Sequence, residues 1–340
     1  MYTHSHYVPI VRWKRAEKVA LRDLFPTTKS KITPLIEIPE DRTADSKDAD
    51  SIALAWGSSP FFFDFGAQSQ SISRELVQSF FVNARIRGLN PIPTACLGSS
   101  DTFKESVAEV AGEDGRGICL RLFREDLARP NLPELLTNLL AKLEQLEGSV
   151  DLMIDLKIFR NEDVLIGKML EAIPKISEWR TLTLAAGSFP KDLRDFPVGE
   201  HEQPRSEWVS WLTAITKHSL TRKPTFADYT IIHPYLTTPI PGMNISASIR
   251  YTAWDYWVIM RGEGLKNKDG AKYAQYPANA ESLTEREEFC GAFFSAGDRY
   301  ISDIANKKEP TGSPETWLRA GINHHITYVV DQLAKTFGKS

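Results

Sequence analysis

Short apolar, β-rich runs recur along the chain and alternate with segments of helical period. The runs are residues 7–11, 32–38, 60–65, 90–97, 117–123, 150–156, 181–186 and 225–232. Their starts follow one another at intervals of about 30 residues, the length of a strand, a crossover helix and two loops. The runs are apolar almost throughout, which is typical of strands buried on both faces. The pattern predicts a parallel sheet of eight strand–helix units.

The segments between the runs carry helical periodicity. Residues 73–87 place Leu76, Phe80, Phe81 and Ala84 on one stripe. Comparable patterns cover residues 132–146, 163–173 and 207–218. Eight strand–helix units favour a closed (β/α)8 TIM-like barrel over an open doubly wound sheet.

The alternation changes after the eighth run. Residues 246–262 predict a β-hairpin, and residues 285–305 and 314–335 predict two closing helices. We expect one domain, residues 1–340, in which residues 241–340 form a hairpin and helical extension of the barrel. An alternative reading makes residues 257–260 the eighth barrel strand and leaves residues 7–11 outside the barrel.

Composition narrows the class of protein. The 340 residues carry a net charge of −3, without the basic footprint of a nucleic-acid-coating protein. The three cysteines form no CxxC pair, and no apolar run approaches membrane-spanning length. A cytoplasmic protein without a membrane partner is therefore expected. No P-loop, GxSxG or HExxH motif occurs, which argues against nucleotide hydrolysis by a P-loop and against an α/β-hydrolase mechanism.

Charged residues lie near the ends of several predicted strands, where they are costly unless paired or used in function. In barrels of this class the active site forms at the C-terminal ends of the strands. Four carboxylates are candidate catalytic groups: Glu37, Asp64, Asp155 and Asp228. Candidate substrate-binding groups are Lys14, Arg121, Lys157 and Tyr229 from the strands, and Arg250, Tyr251 and Arg261 from the hairpin.

This set suits more than one role. Carboxylates at a barrel mouth hold Mg²⁺ in some enzymes, with cations binding a phosphate. Two carboxylates can also act as acid and base on a sugar. The structural alternative is a ring of internal salt bridges that closes the barrel top. The hairpin would either cover the pocket or pack under the terminal helices, and His324 would either pack or transfer a proton. His4 and His6 form an HxH pair before the first strand, at the wrong end for a metal site of this type.

Several short stretches resemble the family called Beta protein. They include Tyr7-Val8-Pro9-Ile10-Val11-Arg12, Pro34-Leu35-Ile36-Glu37-Ile38-Pro39, Phe63-Asp64, Asp228-Tyr229, Ile249-Arg250-Tyr251-Thr252, Arg261-Gly262 and Ala320-Gly321-Ile322-Asn323-His324-His325. The chain departs from the family pattern at two places. The pattern has Gly before the Asp-Tyr pair, where this chain has Ala227, and it has Lys after the first strand, where this chain has Arg12-Trp13. The resemblance implies a setting in phages, mobile elements or antiviral defence, and it implies no particular reaction.

Two functional hypotheses follow from these observations. The first is an enzyme, a phosphodiesterase- or nuclease-type hydrolase, acting at the barrel mouth on a phosphate-bearing small molecule or a nucleic-acid end, with Mg²⁺ as a candidate cofactor. The second is a non-catalytic sensor or partner-binding subunit that contacts another protein of a defence module.

Overall fold

The computed structural model describes residues 2–159, 163–217, 219–235 and 242–338. Within them, eight parallel strands close into a barrel, which confirms the predicted (β/α)8 fold. The barrel order is β1 (Tyr7–Arg12), β2 (Leu35–Glu37), β3 (Phe61–Asp64), β4 (Pro91–Ala95), β5 (Ile118–Phe123), β6 (Val150–Ile158), β7 (Thr181–Gly187) and then β9 (Thr225–Asp228). Three further strands are β8 (Gly199–Pro204), β10 (Ser246–Thr252) and β11 (Tyr256–Gly264).

Twelve α-helices are present in the described residues. In chain order they are α1 (Arg15–Arg22), α2 (Pro26–Lys29), α3 (Ser46–Ala55), α4 (Arg74–Ile86), α5 (Asp101–Asp114), α6 (Arg124–Leu127), α7 (Leu132–Lys142), α8 (Asp163–Glu171), α9 (Ser206–Lys217), α10 (Gln275–Thr284), α11 (Ala296–Ala305) and α12 (Pro314–Phe337). None of the described helices combines the length and apolarity needed to cross a membrane.

The pairing of β1 decides between the two barrel readings. Tyr7 and Val8 are in register with Phe226 and Ala227 of β9, and Ile10 is in register with Leu35 of β2. Hence β1 closes the barrel. The alternative that placed residues 257–260 in the barrel is wrong, because β11 pairs antiparallel with β8 and β10.

The barrel interior is filled by apolar side chains from alternate positions of the strands. Val8 and Ile10 of β1, Leu35 of β2 and Phe62 of β3 belong to one buried cluster. Met153 of β6, a strand that is not adjacent to β1, β2 or β3 in the barrel order, belongs to the same cluster. Since successive strand residues point to opposite faces, residues two positions further along also point inward. This alternation brings strand-end charges into the barrel.

Helix caps account for several of the helix boundaries. The Ser73 side chain accepts a hydrogen bond from the Leu76 backbone and begins α4, and Ser100 caps α5 in the same way. Gly115 ends α5 with φ 64°, a left-handed conformation that glycine adopts without a steric penalty.

The chain divides into two compact units. The first contains Met1–Lys14, Lys31–Ala186 and Glu207–Tyr229, and it includes the barrel strands. The second contains Arg15–Ser30, Gly187–Ser206 and Thr230–Ser340. The predicted single domain with an extension over residues 241–340 stays a prediction.

The second unit is built on the three-stranded sheet β10-β11-β8. Its buried side contains Ile249 and Tyr251 of β10, Val258 of β11, Tyr276 of α10 and Trp317 of α12. The hairpin β10–β11 agrees with the prediction. The edge strand β8 was missed because its sequence, GEHEQP, is polar and largely exposed.

The predicted helix at 285–305 is wrong in its first half. Helix α10 ends at Thr284, residues 285–295 connect it to α11, and only α11 lies within the predicted range. Gly291 lies in the left-handed region with φ 86°, which interrupts a helix, and Ser295 starts α11 by accepting a hydrogen bond from the Asp298 backbone.

Candidate functional site

Arg121 is the centre of a buried ionic cluster at the C-terminal ends of the barrel strands. Its Nη1 atom donates to Glu37 Oε2 and to Asp64 Oδ2, each at 2.6 Å. Its Nε and Nη2 atoms donate to Asp155 Oδ2 at 2.9 and 2.7 Å. The Arg121 side chain is only 1% exposed. One guanidinium thus binds carboxylates from β2, β3 and β6.

Strand register explains why these residues meet. Glu37 is directly opposite Asp64 in the β2–β3 ladder, and both stand at the last position of their strands. Arg121 is opposite Met153, and Asp155 lies two residues beyond Met153 on the same face. Closure of the barrel then brings the four charged side chains together.

Local turns hold two of the carboxylates. Asp64 Oδ1 accepts a hydrogen bond from the Gly66 backbone at 2.7 Å, and Asp155 Oδ1 accepts one from the Lys157 backbone at 2.8 Å. In both turns the donor residue has positive φ, 59° at Gly66 and 57° at Lys157. Asp favours such turns because its side chain can bond to the backbone two residues later. Each carboxylate therefore keeps one oxygen for Arg121.

Three further residues complete what we call the Arg121 cluster. The Tyr229 hydroxyl accepts from Arg121 Nη2 at 2.8 Å and donates to Asp155 Oδ2 at 2.5 Å. Lys157 Nζ lies 3.5 Å from Asp155 and 3.9 Å from Glu37, with a side chain that is 20% exposed. Arg12 lies 3.7 Å from Glu37. The cluster consists of Arg12, Glu37, Asp64, Arg121, Asp155, Lys157 and Tyr229.

Aromatic rings surround the Lys157 ammonium group. It lies 5.1 Å from the centroid of the Phe123 ring and 5.2 Å from that of the Tyr229 ring. These distances allow cation–π attraction on both sides. Lys157 is therefore held at the cluster by carboxylates and rings together, in a backbone conformation that is uncommon for a side-chain-bearing residue.

The surroundings of Glu37 and Asp64 shift their pKa values in opposite directions. Burial alone would raise the pKa of Glu37, but the charges of Lys157, Arg121 and Arg12 outweigh it and lower the pKa to about 2. Asp64 behaves in the opposite way. Burial and the neighbouring Glu37 charge raise the pKa of Asp64 despite the opposing charge of Arg121. Two carboxylates bound to the same nitrogen thus differ in proton affinity, as acid–base pairs in active sites do.

Asp155 and Tyr229 complete this pattern. Burial would raise the pKa of Asp155, but Lys157, Arg121 and the Tyr229 hydrogen bond lower it. Burial raises the pKa of Tyr229 well above its ordinary value. Tyr229 is therefore a neutral donor to an ionised Asp155.

The carboxylate set does not fit Mg²⁺. Each of the three carboxylates directs an oxygen at Arg121, so the guanidinium occupies the centre that a metal ion would need. Among the residues that the structure describes, no group of three or more His, Cys, Asp or Glu is arranged to hold a metal ion. A divalent ion at this position would have to displace the Arg121 guanidinium, which would leave that buried cation without its partners.

Not all predicted site residues join the cluster. Lys14 lies at the surface with its Nζ atom 3.3 Å from Asp41. Asp228 is buried and accepts a hydrogen bond from the Tyr7 hydroxyl at 2.6 Å, and in the described structure none of the hydrogen bonds of Arg121 goes to Asp228. The catalytic role predicted for Asp228 and the binding role predicted for Lys14 stay predictions.

The hairpin residues belong to the second unit and have their partners there. Arg250 donates to the Ile231 carbonyl at 3.0 Å and lies over the Phe189 ring. Arg261 donates to the Leu193 carbonyl at 3.1 Å. The binding roles of Arg250, Tyr251 and Arg261 likewise stay predictions.

The packing role considered for His324 is supported by a buried polar network. Its two ring nitrogens lie 2.9 Å from Asp298 Oδ2 and 2.9 Å from the Thr252 carbonyl oxygen. Tyr251 stacks on the His324 ring and donates to Asp298 at 2.7 Å. Burial alone would raise the pKa of Asp298, but the His324 charge and these hydrogen bonds lower it. Both ring nitrogens of His324 therefore have a polar partner inside the second unit.

Sequence reasoning missed Asp298 and gave Arg12 no role. The pattern Ser295-x-x-Asp298 at the start of α11 is a helix-start signal that marks Asp298. Arg12 ends β1 and is in register with Glu37, so its position directly after the predicted strand, residues 7–11, was the available signal.

These features define a class of protein, a (β/α)8 barrel with an ionic cluster at the C-terminal ends of its strands and a second α+β unit. The sequence profile of the Beta protein family matches residues 7–331, nearly the whole chain. The chain belongs to the Beta protein family.

Comparison with solved structures returns barrel enzymes of low sequence identity. A type I 3-dehydroquinate dehydratase from Clostridium difficile is 13% identical, with 69% of this chain and 88% of that chain covered and a TM-score of 0.40. The YdjI aldolase from Escherichia coli K12 is 9% identical, with 99% and 94% covered and a TM-score of 0.41. No curated protein matches the chain.

Proposed function

We propose that this barrel protein is an enzyme that acts at the Arg121 cluster on a phosphate-bearing substrate by acid–base catalysis. The observation that carries the proposal is the geometry of the cluster, in which Glu37 and Asp64 share one nitrogen of the buried Arg121 and Lys157 lies beside them with a part-exposed side chain. Asp64 is the proton donor. Glu37 and Asp155 remain ionised and hold Arg121 and Lys157 in place.

Lys157 is the group that contacts the substrate anion. Of the two cations that flank Glu37, Lys157 and Arg12, Lys157 has the more exposed side chain, 20% against 6%. The Lys157 ammonium group lies near the Asp155 and Glu37 carboxylates and near two aromatic rings. On binding, a substrate phosphate would replace these carboxylates as the anionic partner of Lys157.

A hydrolysis can be written with these groups alone. The Asp64 proton passes to the leaving ester oxygen as its bond to phosphorus breaks. The oxygen of a water molecule bonds to phosphorus, and a proton of that water restores Asp64. No step is assigned to Mg²⁺, because the carboxylate oxygens that would bind it are engaged by Arg121. A retaining glycosidase fits less well, because Arg121 Nη1 bonds to both the Glu37 and the Asp64 carboxylates, which such an enzyme would need free for the sugar.

The experiment is an activity screen with phosphate mono- and diesters, including nucleotides and oligonucleotide ends, in buffer containing EDTA. Asp64→Asn and Lys157→Met should each lower kcat/KM by about 100-fold or more, the usual contribution of a positioned acid or charge. Asp101→Asn and Lys142→Met form a matched control, since this exposed pair bridges α5 and α7. Loss of all activity in EDTA, or equal losses in the control pair, would contradict the proposal.

The same cluster supports a second candidate, a non-catalytic sensor or partner-binding subunit of an antiviral defence module. The supporting observation is the complete internal pairing of Arg121 and Asp155, which are 1% and 0% exposed. Under this proposal a protein partner from the same cytoplasmic module remains bound to Asp64→Asn in a pull-down. Under the enzymatic proposal, Asp64→Asn loses catalytic activity, whether or not it still binds a protein partner.

A further inference from the structure

A cavity in the second unit has the charge and lining of an anion site. Its volume is about 370 Å³, within the range of small-molecule pockets. Four cations line it, Lys191, Arg194, Arg250 and Arg261, against two carboxylates, Asp192 and Glu315.

Strand geometry places the two hairpin arginines on the cavity side of the sheet. Along β10 the burial alternates, so Ser246, Ser248 and Arg250 share one face while the residues between them are buried. Arg261 of β11 is directly opposite Ser248. Arg250 and Arg261 are therefore diagonal neighbours on one face, an arrangement in which like charges repel.

Neither arginine is neutralised by the protein. In the described parts of the chain, Arg250 and Arg261 donate to backbone carbonyl oxygens and form no ion pair with a carboxylate. The two acidic residues in the lining have other partners, since Asp192 bonds to Arg194 at 2.7 Å and Glu315 lies 3.4 Å from Arg15. Burial lowers the pKa of Arg250 to about 10, the direction expected of a guanidinium without a counter-ion.

A second, independent observation marks the same cavity. The Tyr276 hydroxyl lines the cavity, is buried, and has the Ser248 backbone as its hydrogen-bond partner. A hydroxyl group has one donor and two acceptor positions, so with one partner it can still bond to a ligand.

The remaining lining combines polar residues, Asn244, Ser246 and Ser248, with apolar and aromatic ones. Trp317 stacks on Tyr276 with ring centroids 4.8 Å apart, and Met243 and Leu318 adjoin them. A ligand therefore needs both an anionic group and an apolar or aromatic body.

We propose that this cavity binds a small phosphate monoester with an aromatic or apolar body, its phosphate contacting Arg250 and Arg261. A phosphate monoester carries close to two negative charges at neutral pH, which matches the excess of two cations in the lining. The Tyr276 hydroxyl donates to the same group. The site is separate from the Arg121 cluster and does not depend on the function proposed for it.

The test uses isothermal titration calorimetry on the full chain with phenyl phosphate as probe and phenol as its uncharged analogue. We expect phenyl phosphate to bind in this cavity, in addition to any binding at the Arg121 cluster, and phenol not to bind. Arg261→Gln and Tyr276→Phe should each weaken binding, Arg261→Gln by about tenfold or more, as loss of a charge-assisted hydrogen bond implies. Arg261 is only part-buried, and Tyr276→Phe keeps the ring, so at least one variant should remain folded, which circular dichroism checks.

Two control variants locate the binding. Arg299→Gln removes an exposed arginine of the same unit outside the cavity and should leave the affinity unchanged. Lys157→Met removes the phosphate contact proposed at the Arg121 cluster, and phenyl phosphate should then bind to one site per chain, the cavity. The proposal is overturned if phenyl phosphate does not bind at millimolar concentration, if Arg299→Gln weakens binding as much as Arg261→Gln, or if only Lys157→Met abolishes it.

Discussion

Replacing Arg121 with Met tests whether the cluster stabilises the barrel as a balanced set of charges. The wild-type cluster contains three cations and three carboxylates, and Arg121 alone contacts all three carboxylates within 2.7 Å. In Arg121→Met, Lys157 and Arg12 remain near Glu37 and Asp155, so one buried carboxylate is left without a counter-charge. Removing one partner of a buried ion pair costs about 3–5 kcal/mol, and we expect a loss of that size at pH 7.

The pH dependence gives a sharper test than the loss itself. The carboxylate left unpaired is Asp64, whose pKa burial and the Glu37 charge already raise in the wild type, and without Arg121 this pKa should rise further. The free-energy cost of burying this carboxylate unpaired is absent at low pH, where it is protonated, and grows as the pH rises and it ionises. The difference in unfolding free energy between wild type and variant should narrow from pH 7 to pH 5, by at most about 1.4 kcal/mol per pH unit for one proton.

Equilibrium urea denaturation followed by tryptophan fluorescence measures both quantities. Arg74→Met is the control, because Arg74 is 53% exposed and its ion pair with Glu109 lies at the surface, where loss costs under about 1 kcal/mol. A loss below about 1 kcal/mol in Arg121→Met, or a difference from wild type that is constant from pH 5 to pH 7, would refute the reasoning.

Three further predictions concern stability and can be checked by urea or thermal denaturation. Gly321→Ala should destabilise by about 1–3 kcal/mol, because a Cβ atom there would lie 2.7 Å from a backbone oxygen of β10. Gly112→Ala, in an open helical position, should be neutral or stabilising by up to about 1 kcal/mol; equal losses in both would contradict the steric argument. Asp298→Asn should destabilise by about 3 kcal/mol, because the buried His324, Tyr251 and Ser295 side chains lose the carboxylate that they all contact; a neutral variant would show that this carboxylate contributes nothing. Glu37 has a pKa lowered from 4.5 to about 2, so it contributes about 3 kcal/mol above pH 4.5 that is lost as pH falls toward 2. Glu37→Gln should therefore flatten the stability curve over that interval, and an unchanged curve would contradict the assignment.

The resemblance motif near the C-terminus acquires a physical meaning in the structure. Gly321 permits α12 to approach the backbone of β10, and Asn323 bonds both to the Ala20 carbonyl of α1 and to the Gly297 backbone of α11. His324 joins Asp298 to Thr252. These residues connect four elements of the second unit, which explains their residue types without a catalytic role.

The sequence by itself determined the barrel. Eight apolar runs at regular spacing predict eight buried parallel strands, because burial on both faces requires apolar side chains at nearly every position. Charges such as Glu37, Asp64 and Asp155 were identifiable as candidate site residues, because an ionised side chain inside such a run is costly unless it has a partner.

Only the tertiary structure decided which charges meet. Because of barrel closure and strand register, Arg121 lies among the carboxylates at the position that a metal ion would need. For the same reason Asp228 accepts a hydrogen bond from Tyr7 and does not join the Arg121 cluster. The recruitment of β8 and α1 into the second unit was equally invisible in the sequence. The polar residues of β8 carry no local strand signal, because their stability as a strand comes from backbone pairing with β11, a contact between distant parts of the chain.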